Sequence, residues 1–220
     1  MTDANPTFAA VFADQWDRLP PAMKLHYANR PFSNDRVTVA GTLTIEMGAM
    51  MRLLAPLMAA LGLFTPRDGK DIPCTVHFLS EPGSNAFIFE RWFHFPGRAP
   101  YKFRSRLVPQ ENREVIEYMA SGVGWRCVYE YDADTVRLLH RGYVWRLFGR
   151  DIPLSGLGTF LMGRGDALEQ ATGAASFRMR MTLSGGLFGR AMAYSYAGDF
   201  TVSEMALIDT ALNDMVLTDA

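Results

Sequence analysis

The sequence predicts an α+β fold: a strongly curved antiparallel β-sheet, or a partly closed barrel, packed on helices. Three observations carry this expectation. From Ile72 onward most of the chain reads as strand-like segments. Those segments are separated by short turns, "EPGSN", "PGRAP", "PQENR", "DAD" and "SGG", and short connections between neighbouring strands imply antiparallel pairing. Helical spacing concentrates near the two ends of the chain, where helices can cover one face of a sheet.

Taken in order, residues 6–17 predict a first helix, because Phe8, Phe12 and Trp16 fall four apart on one face. "LPPAMKLHYAN" breaks and restarts it, with Pro20 and Pro21 suited to a first helical turn whose N–H groups have no helical partner. "RVTVAGTLTIEMG" predicts a strand, bulged at Gly41. The apolar run 47–64 predicts a helix. Arg52, Pro56 and Gly62 interrupt it, and its length is at the lower limit for a bilayer span, so a core helix or a membrane-surface helix fits better than a spanning one. Strands are expected at 73–79, 86–95, 101–108, 114–120, 123–131, 135–147, 176–183 and 190–202. Residues 149–172 read as an irregular or weakly helical surface crossing. The tail 203–220 shows helical spacing at Met205, Ile208, Ala211, Leu212 and Met215, with Ser203 as its N-cap. The whole is read as one domain, 1–220, with its core in 6–202.

Composition narrows the function classes. Lys and Arg number 22 against 23 Asp and Glu, so the basic excess that phosphate neutralisation requires is missing and nucleic acid is not an expected partner. Cys74 and Cys127 stand far apart and no two histidines have ligand spacing, which argues against a disulfide framework or a metal site. No dinucleotide or phosphate-loop signature is present, so no cofactor is expected. The first sixteen residues lack a basic start followed by an apolar run, and a cytoplasmic location is the expectation.

The stretch "FERWFHFPGRAPYKFRSRL", 89–107, carries the candidate chemistry. With the turn centred on Arg98, Phe93 faces Phe103, Arg91 faces Ser105, Trp92 faces Arg104 and Glu90 faces Arg106. The even-numbered face then reads as wet, with ion and cation–π pairs. The odd-numbered face is an aromatic layer with Arg91 set inside it. A guanidinium there needs a carboxylate, water or a ligand anion, because an isolated buried charge costs several kcal/mol or more. Glu117, on the apolar stripe of the strand that should lie beside 101–108, is the leading partner. Arg91, Ser105 and Glu117, joined by Tyr118 or Arg126, could fix a polar head group while Phe93, Phe103 and methionines hold an apolar body. Glu117 and His26 are the candidates for acid/base catalysis.

In order along the chain, "LPPAMKLHY", "GTLTIEMGAMMRLLAPLMAALGL", "ERWFHFPGRAPYKFRSRL", "REVIEYMASGVG", "YVWRLFGRDIPL" and "LSGGLFGRAMAYSYAGDF" resemble a bacterial family known as domain of unknown function 4166, from about residue 8 to about residue 202. The family-like positions are His26, Arg91 with Trp92, Phe103 with Ser105, Glu117, and Gly189 with Tyr196. The resemblance implies no assigned activity. Similar domains can occur joined to nicotinamide-dependent oxidoreductase domains of the saccharopine-dehydrogenase type, which implies such an enzyme as a partner. The expected function is the binding of a small apolar molecule with an acidic or polar head between the sheet and the helix 47–64. The alternatives are an enzyme in the same cavity and an accessory domain for an oxidoreductase. A small molecule, rather than a membrane surface, is the expected partner.

Overall fold

The computed structural model describes residues 5–207. Two short helices, α1 (Thr7–Phe12) and α2 (Pro21–His26), precede β1 (Arg36–Met47). Helix α3 (Ala49–Ala60) leads to β2 (Gly69–Ser80), β3 (Phe87–Phe93), β4 (Tyr101–Pro109), β5 (Glu114–Met119), β6 (Val123–Asp132) and β7 (Thr135–Leu147). Then come β8 (Arg150–Pro153), α4 (Ser155–Met162), β9 (Arg164–Ala171), β10 (Ser176–Ser184) and β11 (Tyr194–Ala206).

The strands form one antiparallel sheet in the order β6-β5-β4-β3-β2-β1-β11-β10-β9-β7-β8, and β6 also pairs with β7. That last pairing closes ten strands into a barrel, so the expected partial closure is corrected to a full one. Strand β8 stands outside the ring. The edge of β7 away from β6 is divided: Thr135–Leu138 pairs with β9 and Val144–Leu147 with β8. Helix α4 packs between them, where His140 meets Thr159 at 3.0 Å and the Tyr143 hydroxyl donates to the Gly163 carbonyl at 3.1 Å.

Alternation along each strand sets the two faces of the wall. Phe87, Phe89, Arg91 and Phe93 of β3 point inward, while Glu90 and Trp92 point outward among Lys102 and Arg104. The outside carries ion pairs such as Arg126–Glu114 and Arg178–Asp199. An apolar inside and a charged outside is the reverse of a lipid-facing barrel. Among the described residues no helix is long and apolar enough to cross a membrane.

The two ends of the barrel are built differently. One end is plugged by the N-terminal segment. Phe8 stacks on Tyr27 and meets Phe87 and Tyr129 edge-on, and Phe12 meets Tyr27 and Tyr129 edge-on. Asn29, fully buried, ties this plug to the wall by donating to the carbonyls of Asp35 (2.8 Å) and Phe78 (3.1 Å). The expected helix 6–17 is shorter than its apolar spacing suggested. Ala13, at φ 49°, interrupts it, and 13–18 continue as a 3₁₀ turn. The other end carries α3, α4 and the connections 94–100, 120–122 and 185–193.

Four further expectations are corrected. Helix α3 neither enters the barrel nor walls it. It lies on the open rim with only Met51 and Ala55 buried, and the segment after it, Leu63–Thr65, lines the interior instead. Residues 149–172 contain β8, α4 and β9 rather than an irregular crossing. Residues 203–206 extend β11 as strand and are not the start of a helix, while 208–220 lie outside the described residues. The bulge expected at Gly41 lies in β1 but at Thr38/Val39 against β11 and Leu43/Ile45 against β2. Gly41 is needed for another reason: a Cβ there would stand 2.1 Å from the Asp199 carbonyl oxygen of β11. Both cysteines are free and buried inside the wall.

Candidate functional site

The hairpin that carries Arg91 turns about Gly97, not Arg98. The register is Phe93↔Tyr101, Arg91↔Phe103 and Phe89↔Ser105. Each partner differs from the expected one by two residues, an even number, so every side chain stays on its expected face. The outer pairs change accordingly. Lys102, not Arg104, lies over Trp92 and pairs with Glu90 (3.2 Å), while Arg106 pairs with Glu81.

Inside the barrel Arg91, only 7 % exposed, donates to the Ser105 hydroxyl at 3.0 Å and to Glu117 Oε1 at 3.1 Å. Ser105 donates in turn to the same carboxylate oxygen at 2.5 Å. The guanidinium lies between the faces of Phe89 (4.8 Å) and Phe103 (5.2 Å), an arrangement that favours a cation once water is excluded. Burial works against the charge, but Glu117 and the Tyr196 hydroxyl outweigh it and hold Arg91 above its ordinary pKa. These bonds use two of its five N–H donors.

A second polar group lies beside the first. His26 ends α2 and is 2 % exposed, with Nε2 3.4 Å from Glu169 Oε2 on β9. Neither ring nitrogen has a hydrogen-bond partner. Tyr27 donates to the same Glu169 oxygen at 2.5 Å. Burial pushes the Glu169 carboxyl up, but His26, the Tyr27 hydroxyl and Arg91 outweigh it and hold it below the usual carboxylate range.

Both groups border empty space. A cavity of about 70 Å³ is lined by Arg91, Glu117 and Glu169 together with Phe93, Phe103, Met119, Met179 and Met181. Trp125, Tyr129, Tyr143, Tyr194 and Tyr196 complete much of the wall. A smaller cavity of about 30 Å³ at His26 shares Phe89, Arg91, Glu169 and Met179 with it. Burial raises the Tyr196 hydroxyl to about 12, with Arg91 opposing. The rim side is bordered by Leu63, Phe64 and Thr65. Thr65 meets the Tyr194 hydroxyl at 3.1 Å, and the Tyr101 hydroxyl donates to the carbonyls of Ala59 (3.1 Å) and Phe64 (3.0 Å).

Of the residues singled out in the sequence, the fold brings Arg91, Ser105 and Glu117 into direct contact, sets Phe93 and Phe103 in the cavity wall, and places His26 at the adjoining cavity. Tyr118 and Arg126 do not join them. Both alternate to the outside of the wall, where Tyr118 donates to Asp151 (2.7 Å) and Arg126 is held by Glu114 (2.6 Å). Glu169, Tyr129, Tyr194 and Tyr196 were not foreseen as a group. The inward row of β9 reads Gly165, Ala167, Glu169, Ala171, which offers no apolar alternation to mark it as a strand. Among the described residues no His, Cys, Asp and Glu cluster could hold a metal ion.

The family model described as Domain of unknown function (DUF4166) matches residues 19–200. The chain belongs to this family. The DUF4166 match runs from Leu19, just before α2, to the inward Phe200 of β11, so most of the barrel and both interior polar groups lie within it. No curated protein matches the chain. Among solved structures, one titled "Insights into Substrate Modification by Dehydratases from Type I Polyketide Synthases" is similar at 8 % identity and a TM-score of 0.18, covering 84 % of each chain. A likeness of that size carries no argument about fold or activity.

Proposed function

We propose that this DUF4166 barrel binds one small apolar molecule whose head is a hydroxyl or carbonyl, held at Arg91. The observation that carries the reading is a cation with unused donors facing an otherwise aromatic and methionine-lined cavity. Such a lining with a few convergent polar groups is the usual chemistry of a small-molecule site. Charge decides between kinds of head. Arg91 is already balanced by Glu117, and Glu169 adds a second carboxylate, so an anionic head would meet an excess of negative charge. A neutral acceptor takes the spare N–H groups without that repulsion. The free space is below the roughly 150 Å³ of an apolar cavity that admits benzene. A larger occupant therefore requires the side chains of Met119, Met179 and Met181, or the strap 63–65, to move; methionine is suited to such repacking.

The test is native mass spectrometry of the purified protein, followed by titration with long-chain alcohols, ketones and acids read by the fluorescence of Trp125. The expected result is saturable binding of alcohols or ketones, weaker binding of the acids, and loss of binding in Arg91→Met. A protein that stays empty and indifferent to all three classes overturns the reading.

A second reading, an enzyme in the same space, is favoured by one observation: His26 borders the smaller cavity with Nε2 3.4 Å from Glu169 and Nδ1 without a hydrogen-bond partner, and a buried imidazole beside a carboxylate is a common proton-transfer group. Its test is mass-spectrometric detection of a product from a bound alcohol or ketone. Conversion that disappears in His26→Gln while binding persists supports it, and unchanged ligand overturns it.

A further inference from the structure

Helix α3 turns its apolar stripe toward water. Met51 and Ala55 face the protein, whereas Ala49, Leu53, Pro56, Leu57, Ala60 and Leu61 are exposed, Leu53 to 75 %. Amphipathic helices of globular domains ordinarily do the opposite. The same end of the barrel repeats the feature. In α4, Leu157, Phe160 and Leu161 are exposed; in the 185–193 connection, Leu187 and Phe188; at the β7–β8 turn, Phe148 is fully exposed.

These pieces are contiguous around the rim. The tip after α3 touches the β5–β6 turn, where the Gly62 Cβ position would meet Ala120. That turn joins the β7–β8 hairpin through Arg146 N–H donating to the Gly122 carbonyl at 2.9 Å. The end of α4 adjoins the β10–β11 connection, whose Gly186 lies against Gly163 and the Leu161 carbonyl. That connection returns to α3 through Gly48 N–H donating to the Ala193 carbonyl at 2.8 Å.

Net charge at this end is positive. Its connections (48–68, 94–100, 120–122, 148–163 and 185–193) carry Arg52, Arg67, Arg98, Arg150 and Arg190 against Asp68 and Asp151, five positive to two negative. Both aspartates are already in ion pairs, with Arg52 and Arg146. The plugged end carries six negative side chains to four positive over 5–35, 81–86, 110–113, 133–134 and 172–175.

We propose that the open rim is a docking surface for an anionic lipid bilayer, with Leu53, Leu57, Phe160 and Phe188 entering the headgroup boundary and the arginines facing lipid phosphates. Apolar side chains interspersed with cations on one face are the recognised chemistry of interfacial attachment. A second copy of the chain is the poorer occupant. A two-fold dimer sets the same patch against itself and would bring the five arginines against five more. The proposal does not rest on the cavity reading, since the rim binds lipid whether or not the barrel is loaded.

The experiment is co-sedimentation of the full chain with phosphatidylcholine vesicles, with and without phosphatidylglycerol. Wild type is expected to sediment with the anionic vesicles and much less with the neutral ones. Raising salt from about 0.1 M to about 1 M, which shortens screening from ~10 to ~3 Å, is expected to release it. Leu57→Asp with Phe160→Asp, at exposed positions, is expected to weaken binding at least tenfold. Arg150→Glu with Arg190→Glu, which leaves the apolar side chains intact, is expected to weaken it by a similar factor. Wild type remaining in the supernatant with both vesicle types overturns the proposal. So does undiminished binding by both pairs of variants, or a dimer in light scattering that the same substitutions dissociate.

Discussion

Arg91 is a charge whose partners matter more than its own contribution. Removing Glu117 alone, as in Glu117→Leu, leaves the guanidinium buried without a carboxylate and is expected to cost about 3–5 kcal/mol. The double variant Arg91→Met with Glu117→Leu removes both desolvation costs and is expected to recover most of that loss, which urea unfolding of the three variants would measure. Glu169 gives a pH signature. Its carboxyl lies below the usual range in the folded chain, so its contribution is present above the ordinary value of 4.5 and is lost as pH falls through the depressed one. Stability measured against pH should therefore fall below about pH 4.5 more steeply in wild type than in Glu169→Gln. Arg91 was legible in the sequence because a two-residue beat forces a cation among phenylalanines. Glu169 was not, because glycine and alanine around it give no beat to read.

At the level of elements, small residues decide where strands approach closely. Gly198 of β11 faces Leu43 of β1, and a Cβ there would stand 1.8 Å from the Thr42 carbonyl oxygen. Gly198→Ala is expected to destabilise the barrel by about 1–3 kcal/mol, the range for overpacking, read as a lower melting temperature. Tyr101 fastens the strap between α3 and β2 through its two carbonyl contacts. If the cavity takes a ligand, Tyr101→Phe should quicken exchange more than it changes stability, which stopped-flow fluorescence would resolve. Strands were largely readable, since β2 to β7 alternate and end in turn residues. The register of β3 against β4 was missed by two because Pro96, Gly97 and Arg98 allow more than one turn centre. Helix α3 was recognised as a helix but set in the wrong place: an apolar run identifies a buried face or a docking face equally well, and nothing in its spacing separates the two.

For the whole molecule, closure is the governing fact. The β6–β7 pairing completes the ring, and the seam between β1 and β11 joins segments distant in sequence. Such topology folds slowly, in milliseconds to seconds or longer, and a ring has no independent half. Circular dichroism and tryptophan fluorescence should therefore report one coincident unfolding transition; separated transitions would mean that the plug or the wall melts alone. The curved antiparallel sheet was legible, while its complete closure was not, because closing depends on β9, the strand hidden in 149–172.

The cysteines give this closure a consequence in time. Burial raises the Cys74 thiol to about 12 and pushes that of Cys127 up as well, so neither forms the reactive thiolate while the staves stay joined. A thiol reagent would consequently act as a clock, each label recording one moment when the cask leaked. A molecule held within would likewise wait for an opening, of the staves or of the strap 63–65, so its residence would reflect how often the vessel opens as well as how firmly it is gripped.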